Sequence, residues 1–175
     1  ASIAAASPLL FEPGTSIRYS NTGIDIGAAI VEVVTGMKWE QYLKQEVLDP
    51  LGMKSTWFWP SDKQLKKKIE LYQTQNNAPA VWVEENPWQQ RPYNDSHVFA
   101  SAGAGLWTNA NDQLKFYKML MNLGVGDNGV RILKEETVKK LLAVTTRPQN
   151  MGGYSLGLYA PKQDNDNGWF GHGGA

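Results

Sequence analysis

The clearest pattern in the chain is a helical repeat of apolar positions that begins just after Asn21. The repeating residues stand at i, i+3, i+4, i+7 and i+8, and they are Ile26, Ala29, Ile30, Val33 and Val34. This spacing predicts a helix with one buried apolar stripe, and Gly36 stands where a helix-ending glycine belongs. The sequence therefore predicts a helix from about Thr22 to Gly36.

Two more helices are predicted between residues 38 and 72. The first begins at about Lys38 and ends before Pro50, because proline disfavours the helical conformation of the residue that precedes it. The second is short and rich in lysine. Ser61 and Gln64 have the spacing of a capping box, and this helix is expected to run to about Tyr72. Residues 73–100 predict a long connection with one short strand at 81–83.

The second half of the chain predicts two helices and then strands. Thr108 or Asn109 can cap a helix that runs to about Asn122, and a last helix covers residues 135–144. The residues of the first helix that are expected to face inward are Leu114, Tyr117, Leu120 and Met121. Aromatic runs punctuated by glycine at 153–159 and 168–172, separated by an Asp/Asn turn at 163–167, predict an antiparallel pair of strands. Because two strands alone are marginal in water, we expect more chain to be needed for a complete fold and interpret the sequence as a fragment.

Composition and charge narrow the functional classes. The chain has 175 residues, the size of one domain or part of one, and 42% of them are apolar. Seventeen basic residues balance seventeen acidic ones, so no net field attracts nucleic acid, and no apolar run reaches the roughly 20 residues of a membrane span. The absence of cysteine excludes disulfides, iron–sulfur sites and thiol catalysis. His97 and His172 lack metal-ligand spacing, so neither a metal nor a cofactor is expected.

Two short motif matches have the wrong context. Residues 124–129 match the dinucleotide fingerprint G-x-G-x-x-G, but a predicted helix precedes them and a strand follows, which is the reverse of the required order. Residues 153–157 match the nucleophile elbow G-x-S-x-G around Ser155, with Asp164 and His172 as conceivable partners. Pro161 leaves no room for the helix that an elbow needs, so Ser155 is interpreted as a strand residue. An α/β-hydrolase that uses Ser155 would require a helix directly after Gly157.

Two other stretches can carry chemistry. Tyr19 and Asn21 are at i and i+2 in a non-helical segment, so an extended backbone would point both side chains to the same side. A tyrosine with a pKa near 10 needs a neighbouring cation to move protons at neutral pH. His172 is potentially cationic, and residues 173–175 after it have almost no side chains, which lets a ligand approach their backbone N–H groups.

The order of these motifs resembles that of the β-lactamase-related serine hydrolases, which include class C β-lactamases, DD-peptidases, D-aminopeptidases and related esterases. The strings that carry the resemblance are Glu12-Pro13-Gly14-Thr15, Tyr19-Ser20-Asn21, Val34-Thr35-Gly36-Met37, Pro50-Leu51-Gly52-Met53, the stretch from Ser101 to Asp112, and Gly171-His172-Gly173-Gly174. The resemblance implies an α/β (α+β) fold of the β-lactamase/transpeptidase type, a helix-rich region with part of an antiparallel sheet. Residues 1–175 would be part of one such domain, with the helix-rich region at 1–148 and the first strands of the sheet at 149–175.

The resemblance also implies roles for three side chains. Tyr19 matches the tyrosine of Tyr-x-Asn, which helps to move the proton of the nucleophile and of the leaving group. Asn21 matches the asparagine that orients the catalytic lysine and the substrate amide. His172 matches the first residue of the third motif, Lys-Thr-Gly or His-x-Gly, and adds positive character beside the tyrosine.

The third motif further implies a substrate-binding strand at Gly173, Gly174 and Ala175, where the backbone N–H of Ala175 completes the oxyanion hole. Gly173 replaces the common threonine and lacks its hydroxyl, which disfavours β-lactams and favours an ester, amide or peptide substrate. The family's first motif, Ser-x-x-Lys, is absent, because none of the nine serines has lysine three residues later. N-terminal and C-terminal segments are therefore expected to be missing from the chain.

The leading hypothesis is a central fragment of a serine hydrolase that forms an acyl-enzyme with a small-molecule or peptide acyl substrate. The alternative is a catalytically inactive relative that binds peptidoglycan or another glycan, helped by the seven tryptophans. Neither hypothesis includes a nucleic-acid partner. By resemblance to the family, the expected location is outside the bacterial cytoplasm, in the periplasm or secreted.

Overall fold

The computed structural model describes residues 8–16, 18–69, 72–73, 81–82, 99–143, 154–159 and 170–173. Its helices are α1 (Asn21–Thr35), α2 (Trp39–Leu43), α3 (Asp62–Leu65), α4 (Ala110–Met121) and α5 (Glu135–Leu142), and a π-helical turn (Lys44–Leu48) continues α2 directly. Two short strands, β1 (Tyr72–Gln73) and β2 (Val81–Trp82), pair antiparallel with Tyr72 opposite Trp82. No helix in these ranges combines the length and hydrophobicity that crossing a bilayer requires.

Helix α1 has the predicted bounds because local side chains and a glycine fix both of its ends. The hydroxyl of Ser20 accepts a 3.0 Å hydrogen bond from the backbone N–H of Gly23, which satisfies one of the free N–H groups of the first turn. At the other end, Gly36 adopts φ 69° and its N–H binds the Glu32 carbonyl. Ala28 is the buried residue of this helix.

The apolar stripe of α1 is exposed, so the prediction of a buried stripe is wrong for the described chain. Ile30, Val33 and Val34 are 59%, 84% and 78% exposed, and Ile26 is also exposed. Periodicity identified the apolar face correctly, but the helices that follow α1 pack on other surfaces and leave this face uncovered.

The second predicted helix is confirmed, and its last turn is wider than an α-helical turn. The N–H of Asp49 binds the carbonyl of Lys44, five residues earlier, at 2.9 Å. The chain then turns back, with the Met53 N–H bound to the Leu48 carbonyl at 2.8 Å. This turn brings Leu48, Leu51 and Met53 into the core.

Helix α3 begins as predicted and ends earlier. The backbone N–H of Ser61 donates to the Gln64 side chain at 2.7 Å, and the reciprocal capping-box contact is also present. The predicted extension to Tyr72 is wrong, because the helix ends at Leu65 and Tyr72 lies in β1. The lysine run at 66–68 offers no apolar stripe that tertiary packing could bury, and a helix this short depends on packing. The predicted short strand is confirmed as Val81–Trp82.

Helix α4 is capped by Asn109, whose side chain accepts the N–H of Asp112 at 2.8 Å. The prediction that Leu114 and Met121 face inward is wrong, because they are 53% and 68% exposed. The prediction for Leu120 is confirmed, Tyr117 is half-buried, and the other inward residues are Asp112, Phe116 and Met119. Hydrogen bonds from Ser55 and Thr56 to Asp112 hold this face of α4 inward.

The core lies where α4, α5 and the turn after α2 meet. Its buried members are Leu48, Leu51, Met53, Met119, Leu120 and Val138. Phe170 and Leu158, from the C-terminal part of the chain, pack against the same cluster. The helix-rich region and the C-terminal residues therefore share one core.

The C-terminal residues form single antiparallel bridges in the described ranges. Tyr159 pairs with Tyr154 and with Gly171. The Tyr159–Gly171 bridge has the antiparallel sense of the predicted strand pair. The prediction of one strand over 153–159, with Ser155 as a strand residue, is wrong, because the Tyr154–Tyr159 bridge closes this run into a tight turn in which the Ser155 N–H binds the Leu158 carbonyl. The larger sheet and the division at residue 148 stay predictions. The turn predicted at 163–167 lies outside the described residues.

Candidate active site

Tyr19 and Asn21 stand at the start of α1, where an extended residue meets the helix. Tyr19 precedes the cap residue Ser20, which is extended at φ −153° and ψ 112°, and Asn21 is the first helical residue. Tyr19 is 47% exposed, and Asn21 is exposed too. The cap thus fixes the backbone of this motif and leaves its side chains accessible to a ligand.

The structure brings Tyr19 and His172 together from opposite ends of the described chain. The phenol oxygen of Tyr19 lies 3.5 Å from Nε2 of His172, at the outer limit of a hydrogen bond. The two rings have centroids 5.9 Å apart and are tilted by 35°. The motifs that the sequence analysis paired therefore meet in space. Gly173 follows His172 at this position and is exposed, whereas the predicted Gly174 and Ala175 lie outside the described residues.

The backbone next to His172 selects its tautomer. Nδ1 of His172 lies 2.5 Å from the carbonyl oxygen of Gly173, and a carbonyl can only accept, so Nδ1 carries the proton. In the neutral imidazole, Nε2 is then an acceptor for the Tyr19 hydroxyl. With the Tyr19 hydroxyl donating to Nε2, the lone pairs of the phenol oxygen stay available to accept a hydrogen bond from a ligand.

Two tyrosines that the sequence analysis did not select complete the aromatic surroundings of this pair. Tyr154 makes edge-on contacts with Tyr19, Tyr159 and His172, at centroid distances of 6.3, 4.9 and 6.2 Å. Tyr159 lies 5.3 Å from the His172 ring. Burial raises the pKa of Tyr154 above 10.0, and the neighbouring Tyr19 and Tyr159 raise it further. Tyr154 is thus a neutral wall of the site at neutral pH. In the sequence, Tyr154 stands in the aromatic run that precedes the third motif, and this position is the signal that could have identified it.

Ser155 is not placed as a nucleophile. It is 4% exposed, and its hydroxyl donates to the Leu158 carbonyl at 3.0 Å inside a tight turn. Gly157 takes φ 96°, and Tyr159 then enters a β-bridge, so no helix begins directly after the motif. The elbow geometry that an α/β-hydrolase needs is therefore absent at this position. The suggested Asp164 lies outside the described residues.

Another residue missed by the sequence analysis, Asp25, connects α1 to the loop at 101–103. Its carboxylate accepts hydrogen bonds from the Ser101 hydroxyl at 3.0 Å and from the backbone N–H groups of Ala102 and Gly103 at 2.8 and 3.3 Å. Asp25 stands one helical turn after Asn21, so this loop lies beside the Tyr-x-Asn motif.

The geometry of the described residues supports neither a dinucleotide-binding loop nor a metal site. Residues 124–129 follow α4 and form a turn closed by a bridge between Val125 and Arg131, as expected for a surface loop. Within the part of the chain that the structure describes, no three His, Asp or Glu side chains are grouped to hold a metal ion. His97 lies outside that part.

The chain is similar to known proteins of one family. The Beta-lactamase family model matches residues 1–175. An uncharacterized protein of Mycobacterium tuberculosis is 32% identical over 135 residues, which are 77% of this chain and 32% of the relative. A putative D-alanyl-D-alanine carboxypeptidase of Escherichia coli is 29% identical over 163 residues, covering 86% of this chain and 36% of the relative.

A solved structure shows the same likeness. The octameric penicillin-binding protein homologue from Pyrococcus abyssi has a TM-score of 0.61 and 26% identity over 85% of this chain and 31% of that one. The fold is therefore of the β-lactamase/transpeptidase type. The chain spans about a third of the length of the curated relatives it matches. The chain belongs to the beta-lactamase family of serine hydrolases.

Proposed function

We propose that the chain is the central part of a longer serine hydrolase that cleaves an ester, amide or peptide bond through an acyl-enzyme. The observation that carries this proposal is the approach of the Tyr19 hydroxyl to Nε2 of His172 across 153 positions of sequence. Two groups able to accept and return a proton meet there in an accessible site that is walled by aromatic rings. The name of the Escherichia coli relative, a putative D-alanyl-D-alanine carboxypeptidase, supports a peptide as one candidate substrate.

The reaction divides into acylation and hydrolysis. A serine from a Ser-x-x-Lys segment outside these 175 residues would attack the substrate carbonyl. Its proton would pass to the neutral lysine amine by way of the Tyr19 hydroxyl, which gives up its own proton as it accepts the proton of the serine, and the lysine would later return that proton to Tyr19. The tetrahedral intermediate would then expel the leaving group, which takes a proton from Tyr19. A water molecule would release the acyl group by the reverse sequence. His172 would keep the phenol oxygen polarised during both steps, and Asn21 would hold the lysine and the substrate amide.

The strand after His172 would bind the substrate through its backbone. With Gly173, Gly174 and Ala175, almost no side chain stands between the ligand and the N–H groups, and the Ala175 N–H would stabilise the oxyanion. Because Gly173 has no hydroxyl, this strand offers a β-lactam carboxylate one donor fewer than a threonine would. The proposal therefore favours ester, amide or peptide substrates over β-lactams.

The exposed stripe of α1 supports the proposal of further segments. Ile26, Ile30, Val33 and Val34 form a continuous apolar face, and burying one such side chain contributes about 1.5–3 kcal/mol. The curated relatives are about three times as long as this chain, so a family-length protein has enough additional residues to cover the face. We propose that the rest of the polypeptide covers this face. The expected location of the protein is outside the bacterial cytoplasm.

The test uses the full-length protein and measures its intact mass before and after reaction with a fluorophosphonate probe. We expect a mass above 19.5 kDa and one adduct on a serine outside these 175 residues. Tyr19→Phe should lower the turnover of a p-nitrophenyl ester more than tenfold and leave the circular dichroism melting curve unchanged. Tyr72→Phe is the matched control, because Tyr72 is an exposed tyrosine of β1 and should behave as wild type.

Different results contradict different parts of the proposal. Wild-type turnover in Tyr19→Phe would remove Tyr19 from the mechanism. A full-length protein with no adduct and no turnover that still sediments with peptidoglycan would replace the hydrolase by a glycan-binding relative. An intact mass of 19.5 kDa would refute the proposal that the protein has further segments.

A further inference from the structure

The carboxylate of Asp25 accepts hydrogen bonds from three polar groups of one tight loop. The Ser101 hydroxyl reaches both carboxylate oxygens, at 3.0 and 3.4 Å, and the N–H groups of Ala102 and Gly103 reach Oδ1 at 2.8 and 3.3 Å. Asp25 is half-buried, and hydrogen bonds to a charged acceptor are roughly twice as strong as those between neutral groups. The loop is also closed on itself, because the Gly105 N–H binds the Ser101 carbonyl at 2.9 Å.

The same loop touches Asn21. A Cβ atom on Gly103 would lie 3.2 Å from both the Cβ and the carbonyl oxygen of Asn21, so glycine is what allows the backbone to come this close. Asp25 and Asn21 are four positions apart and occupy the same side of α1. The loop therefore rests against the candidate site residue at one end and is tied down one helical turn away.

We infer that Asp25 is a positioning residue for Asn21. It holds residues 101–103 against the first turn of α1, and this contact restricts the directions that the Asn21 carboxamide can take. The inference rests on the proposed function, in which Asn21 binds the amide of the substrate. Asp25 itself touches neither the substrate nor the reacting atoms.

A positioning role for Asp25 predicts different losses of activity for different substrates. A general loss of stability would lower the activity on all substrates equally. Misplacement of Asn21 should weaken the reaction of every substrate through the catalytic lysine, and it should weaken the reaction further where Asn21 also holds an amide of the substrate. A small ester that has no such amide should therefore lose less activity than a peptide. In the full-length protein, Asp25→Ala should lower kcat/KM for an N-acyl dipeptide roughly 10- to 100-fold. The loss in kcat/KM for p-nitrophenyl acetate should be smaller by at least about threefold, and the fluorophosphonate adduct should still form.

Three further variants separate positioning from a general structural effect. Asp25→Asn keeps one acceptor oxygen for the loop and should recover part of the dipeptide activity. Gly103→Ala changes the loop on the Asn21 side without touching the carboxylate, and it should give the same bias between substrates. Asp49→Ala removes an exposed carboxylate that pairs with Lys44 and should leave both substrates at wild-type rates.

Hydrogen exchange gives a second readout that does not depend on turnover. The amides of Ala102 and Gly103 should exchange faster in Asp25→Ala than in wild type, since their acceptor is lost. Unchanged exchange at both amides would overturn the inference. An active wild type with equal losses on the dipeptide and the ester, or with no loss on either, would overturn this role of Asp25 alone. A wild type that is inactive on both substrates and forms no adduct would overturn the proposed function, and this role with it.

Discussion

Replacing Asp112 by alanine should destabilise the protein more than any other removal of a single carboxylate in the described chain. Asp112 is 3% exposed, and its Oδ2 accepts the Ser55 N–H at 2.6 Å and the Thr56 hydroxyl at 3.1 Å. Its Oδ1 accepts Lys115 Nζ at 2.9 Å. These bonds tie α4 to the segment that follows the turn after α2, and they set which face of α4 meets the core.

The magnitude follows from what each donor loses. Without the carboxylate, the Ser55 N–H and the Thr56 hydroxyl lose an acceptor in a buried place. Each buried donor that is left without an acceptor costs about 1–3 kcal/mol of stability. Lys115 loses less, because its side chain is 39% exposed and its ammonium group still reaches the Gly52 carbonyl. We expect a loss of about 2–4 kcal/mol in the free energy of unfolding for Asp112→Ala, and about half of that for Asp112→Asn, which keeps one oxygen.

Urea unfolding followed by tryptophan fluorescence measures this difference, with Asp127→Ala as the control. Asp127 pairs with Lys118 at 2.7 Å, but both side chains are about half exposed, so its removal should cost less than about 1 kcal/mol. If Asp112→Ala and Asp127→Ala shift the unfolding midpoint equally, the carboxylate does not hold α4 as described.

The pH dependence provides an independent check. Burial alone would raise the pKa of Asp112, but the hydrogen bonds from Lys115, Ser55 and Thr56 and the charge of Lys115 together lower it below 3.8. The folded state then binds fewer protons than the unfolded state, so the stabilisation is fully present above about pH 5 and is lost as the pH falls through the folded pKa. The gap between wild type and Asp112→Asn should therefore be constant from pH 5 to 8 and shrink below pH 4.

The remaining predictions concern four single substitutions. Gly124→Ala should lower the free energy of unfolding by about 3 kcal/mol, because φ is 94° and a Cβ would overlap the Leu133 carbonyl oxygen. Gly129→Ala, at φ 81° with open space, should cost about 1 kcal/mol, and a similar melting temperature for both variants would contradict this. Ser155→Ala should retain the fluorophosphonate adduct in a mass spectrum, whereas loss of the adduct would restore Ser155 as nucleophile. Tyr154→Phe should remove a phenol that ionises above pH 10.0 from the ultraviolet titration, and an unchanged titration above that pH would show that burial does not raise its pKa.

Both ends of α1 and the start of α3 could be predicted from sequence because short-range contacts make them. The cap at Ser20, the left-handed Gly36 and the capping box that begins at Ser61 each involve partners within four residues. The order of the family motifs likewise pointed to Tyr19 and His172, which the structure places 3.5 Å apart, while their catalytic roles stay predictions. Local signals of this kind do not depend on how distant segments pack.

The errors concern properties that distant segments decide. Periodicity found the apolar face of α1 but could not say whether anything covers it. In α4, the polar Asp112 stands among the inward residues, so a search for apolar side chains chose Leu114 wrongly. Asp25 and Tyr154 acquire their partners 77 and 135 positions away, at Ala102 and Tyr19, and neither pairing has a local pattern.

The sequence distance between Tyr19 and His172 also sets when the site can exist. Three contacts tie the described chain together across 56, 76 and 153 positions, at Thr56–Asp112, Asp25–Ser101 and Tyr19–His172. Loop-closure entropy makes the longest of them roughly 1 kcal/mol harder to close than the shortest. During synthesis at 5–20 residues per second, Tyr19 leaves the ribosome on the order of ten seconds before its histidine partner. A nascent chain can therefore assemble its helices first, and any site that needs the Tyr19–His172 contact is incomplete until His172 arrives.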